Sequence, residues 1–285
     1  MDDLQDITIE KLIDNYSVLL LDAYGVLVHT TGALPGAAEL VADLNQSGKQ
    51  YFILTNDASR LPTTTAKLFQ SFGLKIDADR IITSGSLLTG YFDEHHLKKA
   101  LCAVLGPEDS VQYVEKAGGQ IVPPAEYFDV LVIGDESGYP FLETVDSVLT
   151  ILFHKLDRKE HIHLVLPNPD LIYPKANHGF GIASGSIALM FEAALQLRYH
   201  NSHNYKFDRL GKPHNAIFAE AFRLCGTMDM IMIGDQFETD ILGANAFGID
   251  SALVNTGVTK LTREIIPEHL RPNYIVHSLI SSNSS

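Results

Sequence analysis

Two aspartates lie at the ends of apolar segments that have the composition of buried strands. Asp22 closes the segment Ser17–Leu21, and Asp235 comes just after the segment Met228–Ile233. Unbroken runs of leucine and β-branched residues are typical of strands buried on both faces of a parallel sheet. The carboxyl ends of such strands face the ligand-binding crevice of an open α/β sheet. A single aspartate at this place can equally cap a turn, so its interpretation depends on the polar residues that accompany it.

Further polar residues accompany these two aspartates. Thr55 and Asn56 close another apolar segment, Lys212 lies in a loop that opens a helix, and Asp240 lies in the first turn of the helix after Asp235. If the sheet is parallel, its strand ends bring three carboxylates, a hydroxyl and an ammonium group to one edge. Carboxylates that share a crevice repel each other unless a cation neutralises them. An oxygen-only ligand set, without His or Cys, favours Mg²⁺ over zinc.

This set of groups predicts chemistry on a phosphate ester. The cation and Lys212 would offset the charge of a bound phosphoryl group, and Thr55 would donate a hydrogen bond to one of its oxygens. A carboxylate held beside a metal-bound phosphoryl group can attack phosphorus and form an aspartyl-phosphate, which divides one slow hydrolysis into two faster steps. The expected partner is therefore a small phosphorylated metabolite.

Alternating strands and helices are predicted to position these groups. Besides the strands already named, apolar periodicity predicts a strand and three helices in the first part of the chain, at 51–56, 4–15, 37–44 and 62–72. Such alternation indicates a parallel sheet with right-handed crossovers. The predicted fold class is α/β, with a doubly wound, Rossmann-like parallel sheet as the core.

An inserted domain is predicted between the second and third polar segments. Residues 84–182 continue the alternation of strands and helices with few polar strand ends, and strands are expected at 100–105, 120–123, 129–133 and 163–166. We therefore predict a core domain formed by 1–83 and 183–285, with 84–182 as an α/β cap domain that determines substrate specificity.

The composition limits the binding partners and the cellular compartment that we expect for the protein. The 285 residues include 35 acidic and 21 basic side chains, a net charge of −14, which argues against nucleic acid or an anionic membrane surface as a partner. No segment approaches about 18 apolar residues, and the acidic N-terminus does not resemble a signal peptide. Two cysteines without zinc spacing favour a reducing compartment. We expect a cytoplasmic protein.

Four motifs in order make the chain similar to the haloacid dehalogenase-like (HAD) hydrolase superfamily, in its branch of sugar- and nucleotide-phosphatase-like proteins with a class II (type IIA) cap. The first motif, D-x-D-G-[TV], aligns with Asp22–Val26, and the second, a strand ending in T-N, aligns with Leu54–Asn56. The third corresponds to Gly211–Pro213, and the fourth, G-D-x-x-x-T-D-I, to Gly234–Ile241. Each motif is weak alone, but four in the right order, each on the expected element, form a specific pattern.

The resemblance implies roles for the matched residues. Asp22 looks like the nucleophile, and the implied phosphate-binding residues are Thr55, Asn56 and Lys212. The implied Mg²⁺ ligands, with Asp240 as a supporting group, are Asp22, Asp235, Asp240 and the backbone carbonyl of Tyr24. In the cap, Asn168 and Asp170 resemble a motif that faces the core site, which makes them candidate substrate contacts, although the bare sequence there predicts only a turn. Caps of this branch contribute to dimer contacts, so a homodimer is one expected assembly.

Tyr24 departs from the pattern of the family's phosphatases. They carry at this position a second Asp that protonates the leaving alkoxide and later activates water. A phenol with a pKa of about 10 is a poor proton shuttle at neutral pH, and loss of a general acid or base costs about 10²–10⁴ in rate. The expected function is a slow, Mg²⁺-dependent phosphatase that works through an aspartyl-phosphate on Asp22.

Two alternatives stay open. Tyr24 also suits a catalytically impaired protein that binds metal and phosphate without turnover. The segment Asp22–Gly25 further resembles the first motif of 2-haloacid dehalogenases, in which an aspartate displaces halide without an acid. Those enzymes work without metal and lack the paired acidic residues of the fourth motif, so Asp235 and Asp240 favour phosphate over halide.

Overall fold

The protein chain forms two compact units. The computed structural model describes residues 4–175, 179–199, 205–254 and 266–280. The first unit comprises Met1–Thr55, Pro62–Thr83 and Lys212–Ser285, and the second unit comprises Asn56–Leu61 and Ser84–Gly211.

The secondary structure alternates along both units. In chain order, the strands are β1 (Gln5–Asp6), β2 (Val18–Asp22), β3 (Val28–His29), β4 (Gly32–Ala33), β5 (Gln50–Thr55), β6 (Ile81–Thr83), β7 (Leu101–Leu105), β8 (Gln120–Ile121), β9 (Val130–Ile133), β10 (His163–Leu166), β11 (Ile172–Pro174), β12 (Phe180–Ile182), β13 (Asp208–Arg209), β14 (Met230–Gly234), β15 (Asp250–Val254) and β16 (Tyr274–Val276). The α-helices are α1 (Ile9–Asn15), α2 (Ala37–Ser47), α3 (Pro62–Ser71), α4 (Leu88–Glu94), α5 (Glu108–Lys116), α6 (Phe141–Asp157), α7 (Ser184–Arg198), α8 (Asn215–Cys225) and α9 (Leu242–Phe247).

A parallel sheet forms the centre of the first unit. Within the described residues it has seven strands in the order β1, β16, β15, β14, β2, β5, β6, and all neighbouring pairs are parallel. The chain runs outward from β2 through β5 to β6, and later from β14, on the other side of β2, through β15 to β16. The strand order therefore reverses between β2 and β14, which is the place where open α/β sheets bind ligands.

Strand β2 is buried along its whole length because both faces of the sheet are covered. Alternate residues of the strand, Leu19 and Leu21, join a core cluster with Leu40 of α2 and Phe69 of α3. The intervening strand residues are equally buried, and α8 contacts the neighbouring strands β5 and β6. Side chains alternate between the faces of a strand, so a run without polar interruptions is what this two-sided packing requires. The predicted α/β core is confirmed.

The second unit has its own parallel sheet, which among the described residues runs in the order β13, β10, β9, β7, β8. Leu152 of α6 and Phe191 of α7 pack with Leu131 and Leu164 of this sheet in one core cluster. Helix α7 and strand β13 therefore belong to the second unit. The predicted return to the core at residue 183 is corrected to Lys212, because α7 buries its apolar side chains against the second sheet.

Several short strands escape the sequence prediction, among them β1, β13 and β16 of the two parallel sheets. β1 pairs with β16 through Gln5 and Tyr274, and β13 pairs with β10; each of the three is too short to show an apolar pattern. The helix predicted over 4–15 begins only at Ile9, since the residues before it extend along β16.

No helix in the described ranges combines the length and the apolar character needed to cross a membrane.

Glu192 of α7 anchors the segment that carries β13. Its side chain is only 2% exposed, and its carboxylate accepts hydrogen bonds from Arg209 at 2.8 Å, Lys206 at 2.9 Å and the Phe207 N–H at 3.0 Å. Burial raises the pKa of Glu192, but these donors lower it by more, so its net pKa lies below the usual value. The ionised form is thus the one that the fold stabilises.

We expect Glu192→Gln to destabilise the protein at pH 7 by about 1.5–3 kcal/mol, the range for hydrogen bonds to charged groups. A depressed folded-state pKa contributes stability above the unfolded-state pKa of about 4.3, and this contribution is lost as the pH falls through the folded-state pKa. The difference in urea midpoint between wild type and variant should therefore shrink below about pH 4.3. The exposed Glu115→Gln serves as control, and a difference independent of pH would contradict this account.

Candidate active site

Asp22 ends β2 at the point where the strand order reverses. Its Cα pairs with that of Leu54 in β5, and β14 runs along the other side of β2. The side chain is nearly buried, at 6% exposure. The carboxylate therefore lies at the carboxyl edge of the sheet, where the neighbouring strands end in Thr55 and Gly234.

The turn after β2 brings the backbone close to Asp235. Gly25 has a φ of +96°, a conformation that side chains with a Cβ rarely adopt, and a Cβ there would collide with the Asp235 carboxylate. Hydrogen bonds from the N–H groups of Leu27 and Val28 to the Ala23 carbonyl, at 3.0 and 2.9 Å, close the turn. A glycine is thus required at this position both for its φ and for space.

Asp240 is held by a wide helical turn. Phe237–Ile241 forms a π-helical turn after β14, and the Oδ2 atom of Asp240 accepts hydrogen bonds at 3.2 Å from the N–H groups of Asp235 and Gln236. A Cβ on Gly234 would collide with the Asp240 side chain. The last residue of β14 must therefore be small for this carboxylate to fold back over the strand end.

Lys212 joins two of the three aspartates. Its ammonium group donates to Asp22 Oδ1 at 2.5 Å and to Asp240 Oδ1 at 2.6 Å. Lys212 is 3% exposed, and Asp235 and Asp240 are fully buried. The loop before α8 therefore supplies a cation to the same strand edge.

Burial and mutual repulsion govern the ionisation of this cluster. Burial raises the pKa of Asp22 well above its usual range; Lys212 opposes this shift, while Asp240 and Asp235 add to it. Burial lowers the pKa of Lys212, but the charges of Asp22 and Asp240 raise it by more, so the ammonium group stays charged. Additional positive charge near Asp22 would favour its ionised form.

The cluster has the composition of a magnesium site. Asp22, Asp235 and Asp240 each offer a carboxylate oxygen, and these oxygens lie within 4.8 Å of one another. With the three carboxylates ionised, one ammonium group leaves the four side chains with two net negative charges in a buried environment, where uncompensated charge is costly. Oxygen donors without nitrogen or sulphur suit a hard divalent cation. The residues present therefore fit Mg²⁺.

Thr55 and Tyr24 flank the cluster in the first unit. Thr55 is 3% exposed and ends β5, one residue beyond the partner of Asp22. Tyr24 is half-buried within the turn, forms a β-bridge with Val28, and packs against the core cluster of this unit. The structure thus groups five of the predicted site residues with Asp22 around one strand edge: Tyr24, Thr55, Lys212, Asp235 and Asp240.

The other predicted site residues come together in the second unit. Asn56 Nδ2 donates to Asp170 Oδ1 at 2.8 Å. Asn168 Oδ1 accepts a hydrogen bond from the Asp170 N–H at 3.0 Å, which is the turn contact that the bare sequence predicts. Asp170 and Asn168 thus have defined protein contacts of their own, in addition to the substrate role predicted for them.

Sequence reasoning did not identify what Gly25 and Gly234 contribute. Both belong to quoted motifs, but their role is to make room for the carboxylates of Asp235 and Asp240. The available signal was that each glycine lies within three residues of an acidic residue at a strand end. Which carboxylate approaches which glycine depends on the tertiary fold.

Known protein families match both halves of the chain. A profile described as haloacid dehalogenase-like hydrolase matches residues 19–120, and a HAD-hydrolase-like profile matches residues 209–282. A 5'-nucleotidase of Bacillus subtilis is 27% identical over 269 residues, which is 93% of this chain and 96% of the relative. A dihydroxyacetone phosphatase of Corynebacterium glutamicum is 24% identical over 262 residues, 91% of this chain and 88% of the relative.

A solved structure shares both fold and sequence along nearly the whole length. It is a possible sugar phosphatase of the HAD superfamily from Cytophaga hutchinsonii, with a TM-score of 0.82 and 30% identity, covering 98% of this chain and 99% of that one. Together with the four motifs at one strand edge, these matches establish that the chain is a haloacid dehalogenase-like hydrolase.

Proposed function

We propose that this hydrolase cleaves the phosphate ester of a small metabolite, with Asp22 as the nucleophile. The observation that carries the proposal is the buried cluster at the strand-order reversal. Its three carboxylates offer oxygens within 4.8 Å of one another, and Lys212 contacts two of them. Such a cluster combines a nucleophile, a place for a hard cation and a fixed positive charge, which are the groups that phosphoryl transfer needs.

The names of the relatives support the substrate class. Those relatives are called a 5'-nucleotidase, a dihydroxyacetone phosphatase and a possible sugar phosphatase. All three names refer to phosphate esters of small hydroxylated molecules, and they differ in the alcohol that leaves. The phosphoryl group is thus the common part of the substrate, and the alcohol is the part to be found by assay.

The ligands of Mg²⁺ would be Asp22, Asp235 and the backbone carbonyl of Tyr24. Asp240 would support this site indirectly, because it accepts hydrogen bonds from Lys212 and from the N–H groups that follow β14. When bound, Mg²⁺ offsets the negative charge of the carboxylates and of the phosphoryl oxygens. The finding that supports this assignment is the excess of buried carboxylates over ammonium groups in the cluster.

The reaction then has two displacement steps at phosphorus. A carboxylate oxygen of Asp22 bonds to phosphorus while the bond from phosphorus to the ester oxygen breaks, and the departed alkoxide takes up a proton from solvent. Water next attacks phosphorus while the bond from phosphorus to the Asp22 oxygen breaks, and the attacking water gives up a proton to solvent. Inorganic phosphate leaves, and the Asp22 carboxylate is restored. Lys212 and Thr55 hold the transferred group in both steps, Lys212 through its charge and Thr55 through its hydroxyl.

Tyr24 governs the proton transfers because it occupies the position of the family's general acid. Its ring packs against the core of the first unit, and a neutral phenol is a weak acid at pH 7. The leaving oxygen must therefore depart with little protonation. This requirement favours aryl and acyl phosphates, whose leaving groups are stable as anions.

The same tyrosine supports a second candidate function, a protein that binds Mg²⁺ and phosphate without turnover. Binding needs only the carboxylates, Lys212 and Thr55, all of which are present. Turnover additionally needs proton transfer, for which Tyr24 is poorly suited.

The first test compares wild type with Asp22→Asn on a panel of phosphate monoesters in Mg²⁺. We expect wild type to hydrolyse p-nitrophenyl phosphate, and the variant to lose more than about 10³-fold in kcat because the nucleophile is gone. Asp157→Asn, an exposed aspartate of the second unit, is the control. Phosphate binding without hydrolysis in wild type would favour the binding protein. If wild type is also given a 2-haloacid, halide release that persists in EDTA would favour a dehalogenase.

The second test concerns Tyr24. We expect wild type to prefer aryl over alkyl phosphates, and Tyr24→Asp to raise kcat on alkyl phosphates by about 10–10³-fold, since the new carboxyl group can protonate the alkoxide. The gain on aryl phosphates should be small. Equal rates on alkyl and aryl esters in wild type would contradict the assigned role, whereas turnover that appears only in the variant would identify wild type as a binding protein.

The third test uses stability rather than activity. Without metal, Asp235→Asn should melt at a higher temperature than wild type, because one of three repelling carboxylates is neutralised. Added Mg²⁺ should stabilise wild type by about 2.7 kcal/mol at a hundredfold excess over its Kd, and the variant much less. Differential scanning calorimetry at several Mg²⁺ concentrations measures both effects. A variant stabilised as strongly as wild type would place the metal elsewhere.

A further inference from the structure

The second unit contains the residues that adjoin two of the proposed phosphate-binding groups. Thr55 closes a segment of the first unit, and the next residue, Asn56, belongs to the second unit. Gly211 ends a segment of the second unit, and the next residue, Lys212, belongs to the first. Whatever fixes Asn56 and Gly211 therefore also fixes the backbone on one side of Thr55 and of Lys212.

Asn56 and Gly211 lie against each other within the second unit. A Cβ on Gly211 would come within 2.5 Å of Asn56 Oδ1 and 2.8 Å of the Pro167 carbonyl oxygen. The Gly211 N–H donates to that same carbonyl oxygen at 2.9 Å. The absence of a side chain at Gly211 thus lets the two chain segments approach closely. A displacement of Asn56 would therefore also displace Gly211.

Asp170 holds the side chain of Asn56. The Nδ2 group of Asn56 donates to Asp170 Oδ1 at 2.8 Å, and the Asn56 carbonyl accepts a hydrogen bond from Ser84 Oγ at 2.6 Å. Asn56 is only 6% exposed. Because Asn56 is buried, this hydrogen bond fixes the orientation of its amide.

The backbone of Asp170 is itself fixed on both sides. Its N–H donates to Asn168 Oδ1 at 3.0 Å, and its carbonyl accepts from the N–H of Gly185 at 2.9 Å. Gly185 lies in the first turn of α7, whose apolar face packs on the second sheet. The Asp170 carboxylate is therefore presented to Asn56 from a rigid part of the second unit.

We propose that Asp170 is a positioning residue, which acts through Asn56 to hold the chain at Thr55 and Lys212 in the arrangement that binds the phosphoryl group. This inference rests on the proposed phosphatase function. It assigns Asp170 a different role from the direct substrate contact predicted from the sequence. A carboxylate close to a phosphate dianion would repel it, whereas a carboxylate that orients an amide does not need to touch the ligand.

A double-mutant cycle on Asp170→Ala and Asn56→Ala tests the inference. The readouts are the affinity for inorganic phosphate, measured as competitive inhibition in Mg²⁺, and kcat and KM for p-nitrophenyl phosphate. We expect each single variant to weaken phosphate binding by about 10–100-fold. Because Asp170 acts through Asn56, the double variant should be no worse than Asn56→Ala alone. Multiplicative effects would overturn the inference, since they would mean that Asp170 acts independently of Asn56.

A conservative variant separates hydrogen bonding from charge. Asp170→Asn retains an acceptor oxygen for the Asn56 amide, so we expect phosphate affinity within about threefold of wild type. A loss as large as that of Asp170→Ala would mean that the charge itself is needed and would overturn the positioning role.

Asp157→Ala controls for removal of an aspartate from the same unit, and melting temperatures identify variants that fail to fold. If wild type neither binds nor hydrolyses phosphate esters, the proposed function fails; if wild type is active and the cycle is multiplicative, only the present inference fails.

Discussion

Repulsion among three buried carboxylates is the constraint around which the first unit is organised. Asp22, Asp235 and Asp240 are nearly or fully removed from water, and Lys212 provides one positive charge for two of them. Placing such charge in a buried site is unfavourable unless it is paired. Positive charge brought by a ligand would therefore stabilise the site, and under the proposed function a bound cation would prepare it for an anionic phosphoryl group.

Backbone features, rather than side-chain packing, bring the carboxylates together. The strand order reverses between β2 and β14, so Asp22 and Asp235 come from neighbouring strands that leave the sheet in different crossovers. Gly25 and Gly234 then allow carboxylates to approach where any Cβ would block them. The π-helical turn directs Asp240 back toward the N–H groups after β14. A left-handed glycine, a second glycine and a wide turn thus lie where the carboxylates meet.

The sequence allows the core of this structure to be predicted because strand burial and strand ends leave a local signal. The run before Asp22 is apolar at every position since both faces of β2 are covered, and the polar residues after it mark the carboxyl edge. Strands of two or three residues at sheet edges, such as β1 and β13, carry no such signal. The attachment of α7 to the second unit was equally hidden, because an apolar helix does not reveal which sheet it covers. The contact between Asn56 and Asp170 joins residues 114 positions apart, and no local pattern could have indicated it.

In the proposed mechanism, binding and proton transfer depend on different residues. The charges that would hold a metal and a phosphoryl group lie on Asp22, Asp235, Asp240 and Lys212, whereas the proton transfers would depend on the side chain at position 24. Tyr24 instead shares its turn with Gly25, whose conformation leaves room for Asp235. A change of the side chain at position 24 therefore alters the acid and base available at the edge of the site while the backbone that admits Asp235 stays the same. Under the proposed mechanism, a substitution at position 24 would change the rate of the chemical step without loss of phosphate binding, and the leaving group is the part of the substrate whose chemistry would have to match it.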